Sequence, residues 1–232
     1  MILQVKPGSL QGTVRLPASK SYSIRAFIIA ASGGNSLIQF SSDCEDAMVA
    51  KSVTVALGSR ISSPKKDCYR IGAHKTKGRL SSIHVKESGT TLRFLLPLAA
   101  LQETKVKIIG DGTLIGRPNK FLNETLRRMG VCVEGSGEKE SVPITIHGGN
   151  LKGGPIEIDG SLSSQFVSAL LIACAHLKED TTLVIKGKEL VSADYIQMTT
   201  QMLAETGVKI KKINSRTYFI KGGQKFAGLT RW

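Results

Sequence analysis

The chain repeats one unit three times, and this repeat constrains its fold more than any other feature. The copies are GTVRLPASKSYSIRAFIIAASGG at residues 12–34, SSIHVKESGTTLRFLLPLAALQE at 81–103 and GPIEIDGSLSSQFVSALLIACAH at 154–176. Each copy opens with alternating apolar and polar residues, which predicts a strand. Each then turns through Ser, Gly or Thr into an apolar, Ala- and Leu-rich stretch, which predicts a buried helix.

A second predicted helix and a further strand follow in every copy. The second helices end at Gly58, Gly130 and Gly207. Glycine suits the left-handed residue that closes a helix. We expect the middle one to begin at Arg117-Pro118 and the last to be N-capped by Ser192. The strands that follow are CYRIGAHKTKG, ITIHGGNLKG and YFIKGGQKFAG.

The order strand, helix, helix, strand therefore recurs with a period of roughly 70–75 residues. Alternating strands and helices predict an α/β fold, and three similar units indicate a pseudo-threefold arrangement. We assign residues 13–227 to one domain of three repeats. Residues 227–232 fall where another unit's strand would begin, so we expect the sequence to be cut at a repeat boundary.

The turns at the starts of the first helices are candidate anion sites. They are residues 19–21, followed by Arg25, residues 88–91, followed by Arg93, and the neutral, donor-rich residues 161–165. Free N–H groups and the positive end of the dipole favour an anion at a helix start. N-capping alone would explain any one such turn. Three equivalent turns, two of them with basic residues, favour binding.

The formal net charge of +14 favours anionic partners, which include nucleic acid, acidic membrane and small phosphorylated or carboxylated substrates. A non-catalytic anion- or RNA-binding module is therefore an alternative function. Aromatic residues make up only 5% of the chain and no nucleic-acid motif is recognisable, which disfavours that alternative.

Several other kinds of site are disfavoured by pattern. We find neither a Walker A loop nor a GxGxxG loop. The four cysteines form no CxxC pair and the four histidines show no ligand spacing, so we expect no metal, no cofactor and buried reduced thiols. The sequence shows no signal-peptide core and no apolar run of membrane-spanning length, so we expect a cytoplasmic protein without membrane contact.

Five motifs, in order, resemble those of the 5-enolpyruvylshikimate-3-phosphate synthases. They are PASKSYSIRA, SGTTLR, GRP, DGSLSSQF and LVSADYI. The related UDP-N-acetylglucosamine enolpyruvyl transferases are the alternative enzyme family, and the SKS, SSQ and LVS motifs together disfavour them. The resemblance covers the chain from Lys6 to Gly223 and corresponds to the N-terminal half of the family's length.

The resemblance implies an inside-out α/β barrel domain of three repeats, one of two such domains in the family. Residues 1–12 would then belong with the second domain, and residues 228–232 would be a truncated linker. The family reaction transfers the enolpyruvyl group of phosphoenolpyruvate to the 5-hydroxyl of shikimate 3-phosphate and releases phosphate. The second domain supplies the acid/base groups, so this chain would be inactive alone, with a C-terminal domain on a separate chain as a candidate partner.

By the same resemblance, shikimate 3-phosphate would contact Lys20, Ser21, Arg25, Ser163, Ser164, Gln165, Ser192 and Tyr195. Phosphoenolpyruvate would contact Lys20, Gly89, Arg117 and Gln165. Two residues depart from the family pattern. Glu87 stands where Asn is usual and Asp194 where Pro is usual, and each acid would weaken anion binding or mark a divergent branch.

Overall fold

The computed structural model describes residues 3–4, 6–9, 11–72 and 81–230 of the chain. Its α-helices are α1 (Lys20–Ala30), α2 (Glu45–Ala56), α3 (Gly89–Ala100), α4 (Lys120–Arg128), α5 (Ser164–Cys174) and α6 (Ala193–Glu205). A short 3₁₀ turn, Gly112–Leu114, precedes α4. None of the described helices is long and apolar enough to span a bilayer.

The strands are short and follow the helices in a regular order. They are β1 (Asn35–Gln39), β2 (Arg60–Lys65), β3 (Cys68–Gly72), β4 (Ser82–His84), β5 (Lys105–Ile109), β6 (Cys132–Ser136), β7 (Ser141–His147), β8 (Gly154–Asp159), β9 (Thr181–Lys186), β10 (Ile210–Asn214) and β11 (Thr217–Ile220).

Two of the three sheets have the same strand order and the same strand directions. They run β4-β5-β7-β6 and β8-β9-β11-β10, each with a parallel first pair followed by two antiparallel pairs. The remaining sheet, β1-β3-β2, has the antiparallel part of this order. Its parallel first position is occupied by the end of the described chain. There Thr230 bridges Leu37 in parallel, and the Leu37 N–H donates to the Leu229 carbonyl oxygen at 2.7 Å.

The strand predicted at the start of the first repeat is wrong for the described residues. Residues 12–19 contain no strand, and the side chains of Val14 and Leu16 are each 83% exposed. In the other repeats this segment pairs in parallel with the strand that follows the first helix. Here that edge of β1 is already paired with residues 229–230, so alternation alone does not produce a strand.

Each repeat contains more strands than the sequence predicted. Each unit also has a strand between its two helices (β1, β5, β9) and an extra hairpin strand after the second helix (β2, β6, β10). The hairpin strands were not predicted from the sequence because largely exposed strands need no alternation of apolar and polar residues. Almost every residue of β2 and β10 is exposed. Residues 1, 2, 5, 10, 231 and 232, and residues 73–78 of the first predicted glycine-rich strand, lie outside the described residues.

The helix ends agree with the sequence better than the helix starts do. Gly58, Gly130 and Gly207 have φ values of +100°, +94° and +84°, as expected for residues that close helices. α4 begins at Lys120 rather than at Arg117, because the Arg117 N–H closes the preceding 3₁₀ turn onto the Leu114 carbonyl.

Ser192 stands at the N-cap position of α6, but its side chain makes no capping hydrogen bond, so the expected cap is wrong. Its backbone is left-handed, with φ +55°, whereas a capping serine normally has an extended backbone that aims the hydroxyl at the helix.

The centre of the molecule is formed by the first helices of the three repeats. α1, α3 and α5 are buried on almost every side, and α3 packs against both α1 and α5. A helix that is apolar all round must be covered on all sides, so the sheets lie outside and expose their polar faces. This confirms the inside-out α/β barrel domain.

The second helices join neighbouring units in a ring. α2 contacts α1 and α3, α4 contacts α3 and β8, and α6 contacts α5 and α1. A rotation axis relating the three units stays a prediction.

Candidate anion-binding site at the helix starts

The starts of α3 and α5 are held together by Arg93 and Gln165. The Arg93 guanidinium donates to Gln165 Oε1 at 2.5 Å and to Ser163 Oγ at 3.4 Å. The Gln165 amide in turn donates to Thr90 Oγ1 at 2.9 Å. Arg93 also donates to the Pro118 carbonyl, which brings the start of α4 to the same place. We call Lys20, Gly89, Arg93, Arg117, Ser163 and Gln165 the helix-start surface.

Arg117 lies directly over the backbone of Gly89. A Cβ atom at residue 89 would lie 2.8 Å from Arg117 Nη1, closer than such atoms normally approach. Glycine therefore leaves room for the Arg117 side chain in this position, and no unusual φ is involved. The Arg117 fork therefore lies next to the start of α3, where free N–H groups also favour an anion.

Arg25 links α1 to α6 in the interior. Its side chain is only 1% exposed, and it donates to Thr199 Oγ1 at 2.8 Å and to the carbonyl oxygens of Ser21 and Tyr195 at 3.1 and 3.3 Å. Burial lowers the pKa of Arg25 to about 10, so it stays charged at neutral pH. The structure thus brings Arg25, Ser21 and Tyr195 together.

The same guanidinium also connects the two sides of the site. Arg25 Cζ lies 5.2 Å from the centroid of the Phe94 ring on α3 and 5.4 Å from that of Tyr195. Phe94 is the neighbour of Arg93 in sequence, so the Arg25 group and the helix-start surface lie close together.

Lys20 is an exposed basic side chain proposed for the site, at 56%, and it has an acidic partner. Its Nζ lies 3.0 Å from Asp46 Oδ2 in the first turn of α2. Lys86, just before α3, lies 2.7 Å from Glu45 in the same turn. These exposed pairs join the starts of α1, α2 and α3, and an anion at Lys20 would compete with Asp46.

The serine-rich turns are used in different ways. Ser163 caps α5, and its Oγ accepts the Gln165 N–H at 3.2 Å. Ser164 is buried, whereas Ser192 is exposed and Tyr195 is 42% exposed. Among the described hydrogen bonds and ion pairs, no side-chain contact joins Ser164 or Ser192 to the other site residues.

The arginines of the site form no ion pair with an acid in the described part of the chain, although the Thr113 hydrogen bond and, to a smaller extent, the charge of Arg117 lower the Glu87 pKa. Burial, with a smaller contribution from the charge of Arg117, lowers the pKa of Arg93 to about 10, and the Arg93 Nε atom is buried without a hydrogen-bond partner. The ion pairs among the described residues involve none of Arg25, Arg93 and Arg117. An anion would therefore supply the counter-charge that these groups lack.

Arg93 is the residue at the convergence of these helix starts that sequence reasoning underused. The sequence placed it after the second turn but did not assign it to a substrate. The available signal was its spacing, because residues three and four apart share a helix face and Arg93 follows Gly89 and Thr90 at those distances.

The two acids that depart from the family pattern have local roles. Glu87 Oε2 accepts the Thr113 N–H at 2.8 Å, and this hydrogen bond lowers the Glu87 pKa. Glu87 therefore holds the 3₁₀ turn that precedes Arg117. Asp194 lies in the first turn of α6, where an acid complements the helix dipole.

The family model and two curated relatives that this chain matches carry the same name. The family model of EPSP synthase (3-phosphoshikimate 1-carboxyvinyltransferase) matches residues 5–232. Curated proteins named 3-phosphoshikimate 1-carboxyvinyltransferase from Clostridium perfringens and Methanosarcina mazei are each 37% identical, over 224 and 229 residues. The matches cover 96% and 97% of this chain but 52% and 53% of those proteins. The chain thus spans about half the length of the curated relatives it matches.

Solved structures give the same result for the fold. An EPSP synthase from Acinetobacter baumannii matches with a TM-score of 0.81 at 27% identity, over 95% of this chain and 49% of that one. The enolpyruvyl transferase NikO from Streptomyces tendae matches with a TM-score of 0.67 at 17% identity, over 96% of this chain and 51% of that one. The second likeness concerns the fold alone.

Proposed function

The chain belongs to the EPSP synthase family, and on that premise we propose that its helix-start surface binds shikimate 3-phosphate and phosphoenolpyruvate. It would form half of a site for enolpyruvyl transfer in the shikimate pathway. The observation that carries this proposal is the pair Arg93 and Arg117 at the converging starts of α3 and α5, neither of which forms an ion pair among the described residues.

The phosphoenolpyruvate side of the site lies at the start of α3. The phosphate would accept hydrogen bonds from the Gly89 N–H and from the Arg117 guanidinium that covers it. Lys20 would add a point charge once released from Asp46. Gln165 is oriented by Thr90 and Arg93, which suits a residue placed between two substrates.

The shikimate 3-phosphate side lies at the starts of α5 and α6. Ser163 and Ser164 open α5, where hydroxyl and N–H donors favour the 3-phosphate. Ser192 would complete the phosphate contacts, and Tyr195, with its partly exposed ring, would lie beside the shikimate ring. Arg25 and Ser21 support this side through the Tyr195 carbonyl and the start of α1.

The reaction needs more than these residues provide. The shikimate 5-oxygen bonds to C2 of phosphoenolpyruvate, the C2–O bond to phosphate breaks, and the hydroxyl proton leaves while the enol carbon gains and later loses a proton. Those transfers need positioned acid/base groups. The carboxylates of Asp46, Glu45 and Glu87 are engaged by Lys20, Lys86 and Thr113, so the described residues offer charge and positioning instead.

We therefore propose that a polypeptide of these 232 residues binds both substrates without turning them over, and that a C-terminal domain supplies the proton-transfer groups. A cytoplasmic location fits this pathway. Of the four free cysteines, Cys68 and Cys174 are buried as expected, whereas Cys44 is half-buried and Cys132 is exposed, so the expected burial is wrong for these two.

Calorimetric titration with shikimate 3-phosphate tests the proposal. The double variant S163A/S164A should bind at least about tenfold more weakly, because a charge-assisted hydrogen bond is worth about 1.5–3 kcal/mol. The matched control S52A/S63A removes two exposed serines on α2 and β2 and should bind as the parent does. Thermal melts of both variants check folding, since S163A also removes a helix cap. Equal affinity in all three proteins would refute the proposal.

A further inference from the structure

A second cluster of reactive side chains lies away from the helix-start surface, on the outer face of the β4-β5-β7-β6 sheet. Cys132 and His147 are register partners on the neighbouring strands β6 and β7, and Glu134 lies two residues further along β6. One potential ligand atom from each of the three lies within 4.8 Å of the others. Among the described residues, Cys132, Glu134 and His147 form the group of three potential metal-ligand side chains (His, Cys, Asp or Glu) that lie this close together.

The environment of His147 indicates that the cluster is more than an ion pair. His147 Nε2 is 3.9 Å from Glu134 Oε1, which is too long for a hydrogen bond. The same nitrogen is buried and has no hydrogen-bond partner, although the ring as a whole is half-exposed. A buried nitrogen that faces a thiol and a carboxylate without bonding to either is arranged as a metal ligand would be.

The three side chains have the chemistry of a zinc-type site. Thiolate, imidazole and carboxylate are the protein ligands that Zn²⁺ takes, at about 2.0–2.3 Å. Tetrahedral coordination at those lengths places ligand atoms roughly 3.3–3.7 Å apart, so the cluster would have to contract by about 1 Å. Glu134 is exposed and has a flexible side chain, so rotation of its torsions can supply much of this movement. Three protein ligands leave one coordination position for water.

Neighbouring residues fix the backbone of β6 and leave the Cys132 and Glu134 side chains accessible to solvent. Arg127 donates from two nitrogens to the Val133 carbonyl, between Cys132 and Glu134, at 2.8 and 2.9 Å. Cys132 and Glu134 are exposed on β6, the edge strand of the sheet. Two cations lie near the cluster. Lys105, the partner of His147 on β5, has an exposed amine that can turn into solvent. Arg127, whose charge interacts with Cys132, is held in an ion pair by Glu140.

We propose that Cys132, Glu134 and His147 bind a divalent cation of the zinc type. Sequence spacing argued against such a site because no two cysteines or histidines stand near one another in the chain. The ligands instead meet across an antiparallel pair, where residues 15 positions apart become neighbours. The bound ion would fasten the edge strand β6 to β7, independently of substrate binding at the helix starts.

Titration of the reduced protein with Co²⁺, followed by competition with Zn²⁺, tests the proposal. We expect one saturable site per chain and a thiolate-to-cobalt charge-transfer band that Zn²⁺ abolishes. C132S should eliminate the band, and both C132S and H147Q should weaken Zn²⁺ binding at least about tenfold, as the loss of a metal ligand requires.

Two controls separate this site from adventitious binding. C44S removes a half-buried thiol elsewhere, and H84Q removes an imidazole that pairs with Asp111 at 3.0 Å without a thiol nearby. Both should retain the band and the parent affinity. Thermal melts check that each variant folds. A charge-transfer band that survives C132S, equal Zn²⁺ affinity in H147Q and the parent, or no saturable binding would overturn the proposal and leave only a His147–Glu134 ion pair.

Discussion

At the scale of single residues, Gly89 gives the sharpest test of the phosphate site. A methyl group at this position would meet Arg117 Nη1 at 2.8 Å, and the guanidinium, as the end of a flexible side chain, would move away. We expect G89A to weaken phosphoenolpyruvate binding about tenfold or more, because a displaced charge-assisted hydrogen bond is worth about 1.5–3 kcal/mol. Calorimetry measures this change directly.

The control for that variant is G8A. A Cβ at Gly8 would have no atom within 4 Å, so the substitution adds a methyl group in open space. G8A should bind phosphoenolpyruvate as the parent does. If G89A bound equally well, Arg117 would not act through its position over Gly89.

Glu140 gives a residue-scale prediction about pH. Its carboxylate accepts two hydrogen bonds from Arg127, at 2.9 and 2.7 Å, and these lower the pKa of Glu140 below its usual range. A lowered folded-state pKa adds stability above the unfolded-state pKa of about 4.3, and this stability is lost as the pH falls through the folded-state value. E140Q should therefore be less stable than the parent at pH 7, by about 1 kcal/mol, and the difference should shrink as the pH falls below about 4.3.

Urea unfolding at several pH values measures that difference. E138Q removes an exposed acid from the same turn and is the matched control for net charge. A constant gap between E140Q and the parent from pH 7 to pH 3 would contradict the role assigned to the Arg127 pair.

Sequence analysis found the site residues that a short stretch of sequence can identify. Glycine and serine at the start of a predicted helix form a recognisable pattern, so Gly89 and Ser163 were predicted. The contacts of Arg25 were not, because its partners Tyr195 and Thr199 are 170 and 174 positions away. The site therefore had to be completed from the structure or from resemblance.

At the scale of elements, the pairing of residues 229–230 with β1 is the feature that sequence patterns misjudged. Leu229 is fully buried, its N–H donates to Ser36 Oγ at 2.8 Å, and its carbonyl accepts the Leu37 N–H. We expect L229A to lower the free energy of unfolding by about 2–5 kcal/mol, as large-to-small substitutions in cores do. Denaturant unfolding measures the loss.

L16A is the matched control, because Leu16 lies in the segment that alternation predicted to be a strand and is 83% exposed. It should change stability by less than about 0.5 kcal/mol. A large loss from L16A with little from L229A would mean that residues 12–17, rather than 229–230, pair with β1.

Elements were predictable in proportion to their burial. The central helices α1, α3 and α5 were recognised because their apolar runs are long and continuous. β2 and β10 were not predicted, because their largely exposed residues show no alternating apolar and polar pattern. Whether a segment forms a strand also depends on whether a neighbouring strand edge is unpaired. Residues 12–17 form none because residues 229–230 already pair with β1, and the sequence of residues 12–17 does not contain that information.

At the scale of the whole molecule, one arrangement explains both the repeat and the charge. Three central helices packed side by side bring their starts to a common surface, where N–H groups and buried guanidinium groups accumulate. The repeat therefore predicted the α/β fold correctly, and the resemblance to the enolpyruvyl transferases predicted its inside-out arrangement. The net charge of +14 was uninformative by itself, because the part of it that we propose to bind substrate is the few arginines without an ion pair at that surface.

The most direct test of this half-site is release of inorganic phosphate from phosphoenolpyruvate in the presence of shikimate 3-phosphate. The 232-residue chain would be assayed alone and mixed with the separately expressed C-terminal half of the Clostridium perfringens relative. We predict no release by the chain alone, because general acid/base transfers typically contribute about 10²–10⁴-fold each and the carboxylates of Asp46, Glu45 and Glu87 are already engaged. Release should appear on mixing, when a second domain can close over both substrates. Robust turnover by the purified chain alone would contradict the half-site.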